Sequence, residues 1–135
     1  MSYLLDVNLL AACAWQSHDR HRDASRWLQG LTRFAPCPAV QMGFMRVSMS
    51  PAYGASFVDA RQALADILAL PSHQFLVDDT SVEALPTLES RHHVTDAHLV
   101  TLTARHGLKL ATLDEPLSRA SWAAGVAVQP LASEG

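Results

Sequence analysis

The chain has 135 residues, 49% of them apolar and 17% charged, with a formal net charge of −3. That is enough for one domain able to bury roughly two-thirds of its unfolded surface, and too little for two domains of ordinary size. The composition excludes a disordered chain, and the slight acidity excludes nucleic-acid binding by a broad basic surface while leaving room for a local basic groove.

Tyr3, Leu4 and Leu5 form a short apolar run that ends at Asp6, Val7 and Asn8, and residues 9–15 continue as an apolar stretch. This order predicts a strand, an acidic turn and a helix. Asp6 breaks the first run, and residues 9–15 fall far short of the roughly 20 needed to span a bilayer, so a cytoplasmic protein without a membrane segment is expected. Ala24, Trp27, Leu28 and Leu31 recur at helical spacing, with Gly30 near the end of that helix. Residues 34–37 are predicted as a short strand, and residues 40–49 as a helix.

Ser56, with Asp59 three residues on, marks a capped start for a helix carrying Phe57, Ala60, Leu64, Ile67 and Leu68 as far as Pro71. A strand is predicted over 75–77, then a helix-like segment over 81–91 that Pro86 makes irregular. Thr95 is placed as the N-cap of a helix whose apolar residues surround most of its circumference, which predicts burial. Gly107 suits the end of that helix, residues 108–113 the next strand, and residues 126–128 an edge strand. Strands alternating with helices predict one α/β domain over 1–135, with a central, mainly parallel sheet flanked by helices. The two cysteines, Cys13 and Cys37, lie in apolar surroundings outside any CxxC or Cys/His cluster, which argues against a disulfide framework or a zinc site and fits a reducing compartment.

In an open α/β sheet, ligands collect at the carboxyl ends of the strands. Asp6 and Asp114 both follow predicted strands, and Asp96, at the start of the buried helix leading to the second of these, is placed to face the same cleft. Each has an ordinary reading too: an Asp after a strand is often a turn residue or cap, and an Asp in a first helical turn is favoured by the helix dipole. If the three converge, like charges ~4 Å apart repel by about 4 kcal/mol at an effective dielectric of ~20, and a divalent cation resolves that cost. Carboxylate ligands suit Mg²⁺ or Mn²⁺, which activate water and stabilise a phosphodiester transition state.

The segments Leu4-Leu5-Asp6-Val7-Asn8-Leu9-Leu10, Thr95-Asp96-Ala97-His98-Leu99 and Leu110-Ala111-Thr112-Leu113-Asp114 resemble the PIN-domain ribonucleases, in particular the toxin subunits of VapBC toxin–antitoxin pairs. His18, His21, Ala24, Trp27 and Leu28, and Cys37-Pro38 leading into Gly43-Phe44-Met45-Arg46-Val47, extend the resemblance over essentially the whole chain. It implies a PIN-like fold and an endoribonuclease dependent on Mg²⁺ or Mn²⁺, in which metal-activated water attacks an RNA phosphodiester in line. Asp6, Asp96 and Asp114 match the catalytic and metal-binding acids, and Asn8 and Thr112 match polar positions that support them. One departure is Gln41, where the family usually carries Glu; Gln offers a carbonyl oxygen but no charge, leaving one metal or two open. Glu115 is a candidate replacement carboxylate, and Arg46 a candidate phosphate contact or internal ion-pair partner. The resemblance further implies a cognate antitoxin and a homodimer, with Trp15, Trp27 and the helices over 9–15 and 40–49 offering apolar surface for either, or simply for the core.

The seven histidines form no HxH or HExxH pattern and read mainly as surface or capping groups, with His92 and His93 placed at the rim of an RNA groove. Arg20, His21, Arg22 and Arg26 make one basic helix face, while Arg91 and Arg105 add to another. Two alternatives stand beside the nuclease. One is a catalytically weakened PIN-like module that binds RNA or protein, with Gln41 as its mark. The other is a phosphatase or receiver domain, disfavoured because Asp6-Val7-Asn8 lacks a second Asp and no Lys follows the late strand.

Overall fold

In the computed structural model, which describes residues 2–131, β1 (Ser2–Leu5) lies inside a four-stranded sheet. Its neighbours are β2 (Arg33–Ala35) on one side and β3 (Lys109–Ala111) on the other, with β4 (Ala127–Val128) beyond β3. Every pairing is parallel, and the register sets Leu4 beside both Ala35 and Leu110. Leu4, Leu5 and Leu110 are fully buried, which is why these strands read as apolar runs rather than as alternating ones.

Six helices accompany the sheet among the described residues: α1 (Val7–Ala14), α2 (His21–Gln29), α3 (Pro38–Ser48), α4 (Phe57–Leu68), α5 (Val94–Arg105) and α6 (Glu115–Arg119). In α1 five consecutive residues, Leu9 to Cys13, are buried, and the helix packs against α2 and α3. Pro38 opens α3 at a position where its missing N–H costs nothing. Ser56 caps α4 as its spacing predicts, its hydroxyl accepting from the Asp59 amide at 3.0 Å. Burial of Ala97, Leu99, Val100, Leu102 and Thr103 makes α5 the enclosed helix that its sequence implies, and Gly107 follows it at φ +68°. Cys13 and Cys37 are free and buried, and burial pushes the Cys13 thiol up to about 12.

The stretch between α4 and α5 departs from expectation. Residues 75–77 form no strand: the chain touches β2 through a single bridge between His73 and Phe34, then leaves the sheet with Phe75 and Val77 exposed. Contacts from α5 and its C-cap hold it instead: His98 bonds to Asp78 at 2.7 Å, His106 bonds to Asp79 at 2.8 Å, and Arg105 pairs with Asp79 at 3.4 Å. The helix-like segment over 81–91 reduces to two 3-10 turns, Val82–Ala84 and Arg91–His93. Pro86 explains the first break, because the residue before a proline is driven out of the helical region and Leu85 is extended at ψ 151°. Thr95 is not the N-cap of α5, which begins at Val94 directly after the second turn and puts Thr95 within the first helical turn.

The apolar surface assigned to Trp15 and Trp27 is largely taken up inside the molecule. Trp15 donates to the buried Ser48 hydroxyl at 2.9 Å and stacks on Phe44, and Trp27 packs edge-on against Tyr3. Exposed apolar groups gather elsewhere, at Met42 on α3, at Met49 capping its C-terminus, and at Phe57 and Val58 opening α4.

Candidate active site

The crevice lies where β1 and β3 end and hand over to α1 and α6. Asp6 is the N-cap of α1, its Oδ1 accepting from the Val7 amide at 2.7 Å. Its own amide donates to the Ala111 carbonyl at 2.9 Å, tying it to the end of β3. Thr112, fully buried, donates its hydroxyl to Asp6 Oδ2 at 2.8 Å and accepts from the Asp114 amide at 3.0 Å. One hydroxyl thus fixes both acids across an interval of 106 residues. Asp114 in turn caps α6, accepting from the Leu117 amide at 3.1 Å.

Asp96 enters from the first turn of α5 and lines the same cavity, of about 270 Å³, with Asp6, Asp114, Asn8, Thr95 and Arg46. Burial pushes its carboxyl up to about 6, and the negative fields of Asp6 and Asp114 push the same way, only partly opposed by His93. Asp6 is also raised, chiefly by burial, with its hydrogen bonds from Thr112 and Val7 opposing and Asp114 adding to the rise. Asp96 therefore feels both of the other carboxylates, and Asp6 feels Asp114, across a shared cleft.

Gly43 permits the close packing at its wall. A Cβ added there would stand 2.6 Å from Val7 Cγ2, so only glycine lets α3 approach the residue that follows Asp6. Asn8 lines the cavity but makes none of the hydrogen bonds that hold the acids among the described residues. Arg46 lines it from α3.

Two predicted site residues lie elsewhere. Gln41 donates to the Pro36 carbonyl at 3.2 Å and belongs to the wall of an apolar groove between α3 and α4, with Met42, Met45, Met49 and Phe57. Each residue along a helix turns the side chain by about 100°, so Gln41, two positions before Gly43, points to nearly the opposite face of α3 and away from the cleft. Glu115 is exposed and pairs with Arg119 at 3.2 Å, as expected for an i, i+4 pair on a solvent face. Sequence reasoning missed Thr95 as a lining residue, although its place beside Asp96 was the available signal. It also missed Gly43 as a packing requirement and Trp122 as a neighbour of the acids; nothing local marks either.

A PIN-domain family model matches residues 3–123. The chain belongs to the PIN-domain family. It is 41% identical over 118 residues to ribonuclease VapC38 of Mycobacterium tuberculosis, covering 82% of this chain and 84% of that one. Ribonuclease VapC39 of the same species is 32% identical over 128 residues, covering 87% and 92%. Among solved structures, the M. tuberculosis toxin VapC20, described as cleaving the sarcin-ricin loop, superposes with a TM-score of 0.66 at 15% identity over 86% of this chain and 92% of that one. For this PIN domain that similarity establishes the fold, with its four-stranded parallel sheet and flanking helices.

The donor chemistry fits a hard divalent cation. Among the described residues no three His, Cys, Asp or Glu side chains are grouped closely enough to hold a metal ion by themselves. Mg²⁺ keeps several waters and takes only one or two carboxylates, so an open acidic cleft suits it better than a tight cage.

Proposed function

We propose that this PIN domain is a Mg²⁺- or Mn²⁺-dependent endoribonuclease, the toxin subunit of a toxin–antitoxin pair, acting in the cytoplasm. The observation that carries the reading is the gathering of Asp6, Asp96 and Asp114 around one cavity at the carboxyl ends of parallel strands. The relatives named as ribonucleases support the same reaction class.

Asp6, Asp96 and Asp114 would hold the ion. When bound, it supplies an activated water and charge neutralisation at a phosphodiester. Thr112 keeps the Asp6 carboxylate turned into the cleft, and the cap made by Asp114 keeps its carboxylate beside the end of β3. Arg46, at the cleft wall, offers a guanidinium to the RNA backbone. The weakened-module alternative drew on Gln41; with that side chain outside the cleft, its replacement of Glu removes no charge from the three-acid set. The apolar groove between α3 and α4, about 510 Å³ and bordered by Arg46, is where we place an antitoxin segment, while a homodimer is expected from the family.

Incubation of total cellular RNA with the protein tests this, with Mg²⁺ or Mn²⁺, with EDTA, and with Asp96→Asn. Cleavage that needs the metal and fails in the variant is expected. Cleavage that survives both changes overturns the mechanism.

A further inference from the structure

A second cavity, of about 200 Å³, opens beside the acidic cleft and shares Asp96 and Asp114 with it. Its other walls are Pro116, Leu117, Trp122 and the His93 ring, and His93 and Trp122 lie 5.8 Å apart at 44°. A cation held by the acids of the neighbouring cleft would draw the RNA phosphate there, which leaves this cavity to another part of the nucleotide. A nucleobase is neutral and planar, and every base offers a π-face to an aromatic ring. Trp122 is half-buried against the core, so its ring is already ordered, and His93 is exposed at the opening. Two nucleic-acid chemistries thus adjoin: carboxylates for a metal and phosphate, and an aromatic wall for a base.

We propose that this cavity, resting on the nuclease reading above, is a base-binding subsite in which a nucleotide adjacent to the scissile phosphate stacks on Trp122 with His93 bordering its edge. Shared carboxylates confine the subsite to the nucleotides flanking the cut bond. Stacking is sequence-tolerant, so the subsite positions the RNA more than it reads it.

The test uses an oligoribonucleotide spanning a mapped cleavage point, made intact and with an abasic residue at each flanking nucleotide in turn. With Mg²⁺, Trp122→Ala should lower kcat/KM on intact RNA by about 5- to 150-fold, the equivalent of the ~1–3 kcal/mol lost per stacked base on alanine substitution. On the RNA abasic at the nucleotide occupying the subsite, the same variant should cause little further loss. Trp122→Phe should retain most of the activity. His93→Ala, at an exposed position, should give a smaller loss with the same dependence on the abasic position, which separates stacking from any folding defect of Trp122→Ala. Equal fold-losses on intact and on every abasic RNA, or no loss in either alanine variant, overturn the subsite while leaving the nuclease standing. Failure of the native chain to cut any RNA overturns both.

Discussion

Asp96 sits half-buried in the first turn of α5, facing two other carboxylates, and replacing it by asparagine in metal-free protein should make the fold more stable. Raising a carboxyl from 3.8 to about 6 costs the ionised folded state at most about 3 kcal/mol, at ~1.36 kcal/mol per pH unit. Solvent screening at a half-buried site reduces this to about 1–2 kcal/mol. Against it stands the favourable interaction of a carboxylate with a helix N-terminus, about 0.3–1 kcal/mol, which asparagine forfeits. The balance is a net gain of about 1 kcal/mol for Asp96→Asn, or roughly 3–5 °C in Tm for a chain of this size.

The sign fixes the pH dependence. Between pH 3.8 and about 6 the folded state holds a proton that the unfolded chain has released, so stability from this group falls as pH rises through that window and its cost is complete above it. Urea unfolding of both proteins in EDTA should therefore show no advantage for Asp96→Asn near pH 4 and the full advantage at pH 7. Mg²⁺ should then reverse the order by stabilising the native protein more. An Asp96→Asn protein less stable than native at pH 7 without metal, or a difference independent of pH, would refute the convergence of charges on which the site rests.

Other outcomes follow from the same geometry. Mn²⁺ affinity, measured by calorimetry, should weaken as pH falls through about 6, because Asp96 then takes up a proton in competition with the ion. Thr112→Val keeps the shape but strips a buried partner from Asp6 and from the Asp114 amide, costing about 1–3 kcal/mol in denaturant unfolding. Loss of that hydrogen bond also lets the Asp6 carboxyl rise further, so the acid limb of the cleavage pH profile should move to higher pH. Gly43→Ala drives a methyl into Val7; the overpacking penalty of ~1–3 kcal/mol should exceed the ~1 kcal/mol gained in helix propensity, and Val7→Ala in the same chain should restore stability. Glu115→Gln and Gln41→Ala should leave the cleavage rate and metal requirement at native levels, with Glu115→Gln unfolding within ~0.5 kcal/mol of native.

Local signals were enough for much of this. Apolar runs ended by an acid located β1 and Asp6, and apolar residues around most of the circumference of α5 announced its burial. The Ser56 cap located α4 because the hydrogen bond that makes it joins residues three apart. The strand expected over 75–77 failed because β-pairing needs a partner edge, and this one engages only at His73 before polar contacts to α5 and its C-cap hold the chain elsewhere. The sequence by itself therefore determined which residue types stand at the ends of strands, and hence that carboxylates were available to a crevice. Only the tertiary structure decided which share it. Asp6 and Asp114 are joined by a parallel register and one threonine hydroxyl, and α5 brings Asp96 to the same cavity, while Gln41 and Glu115 are turned away by helical rotation and a surface ion pair. Those are relations between residues far apart in the chain, or angles within a helix, to which spacing and composition are blind.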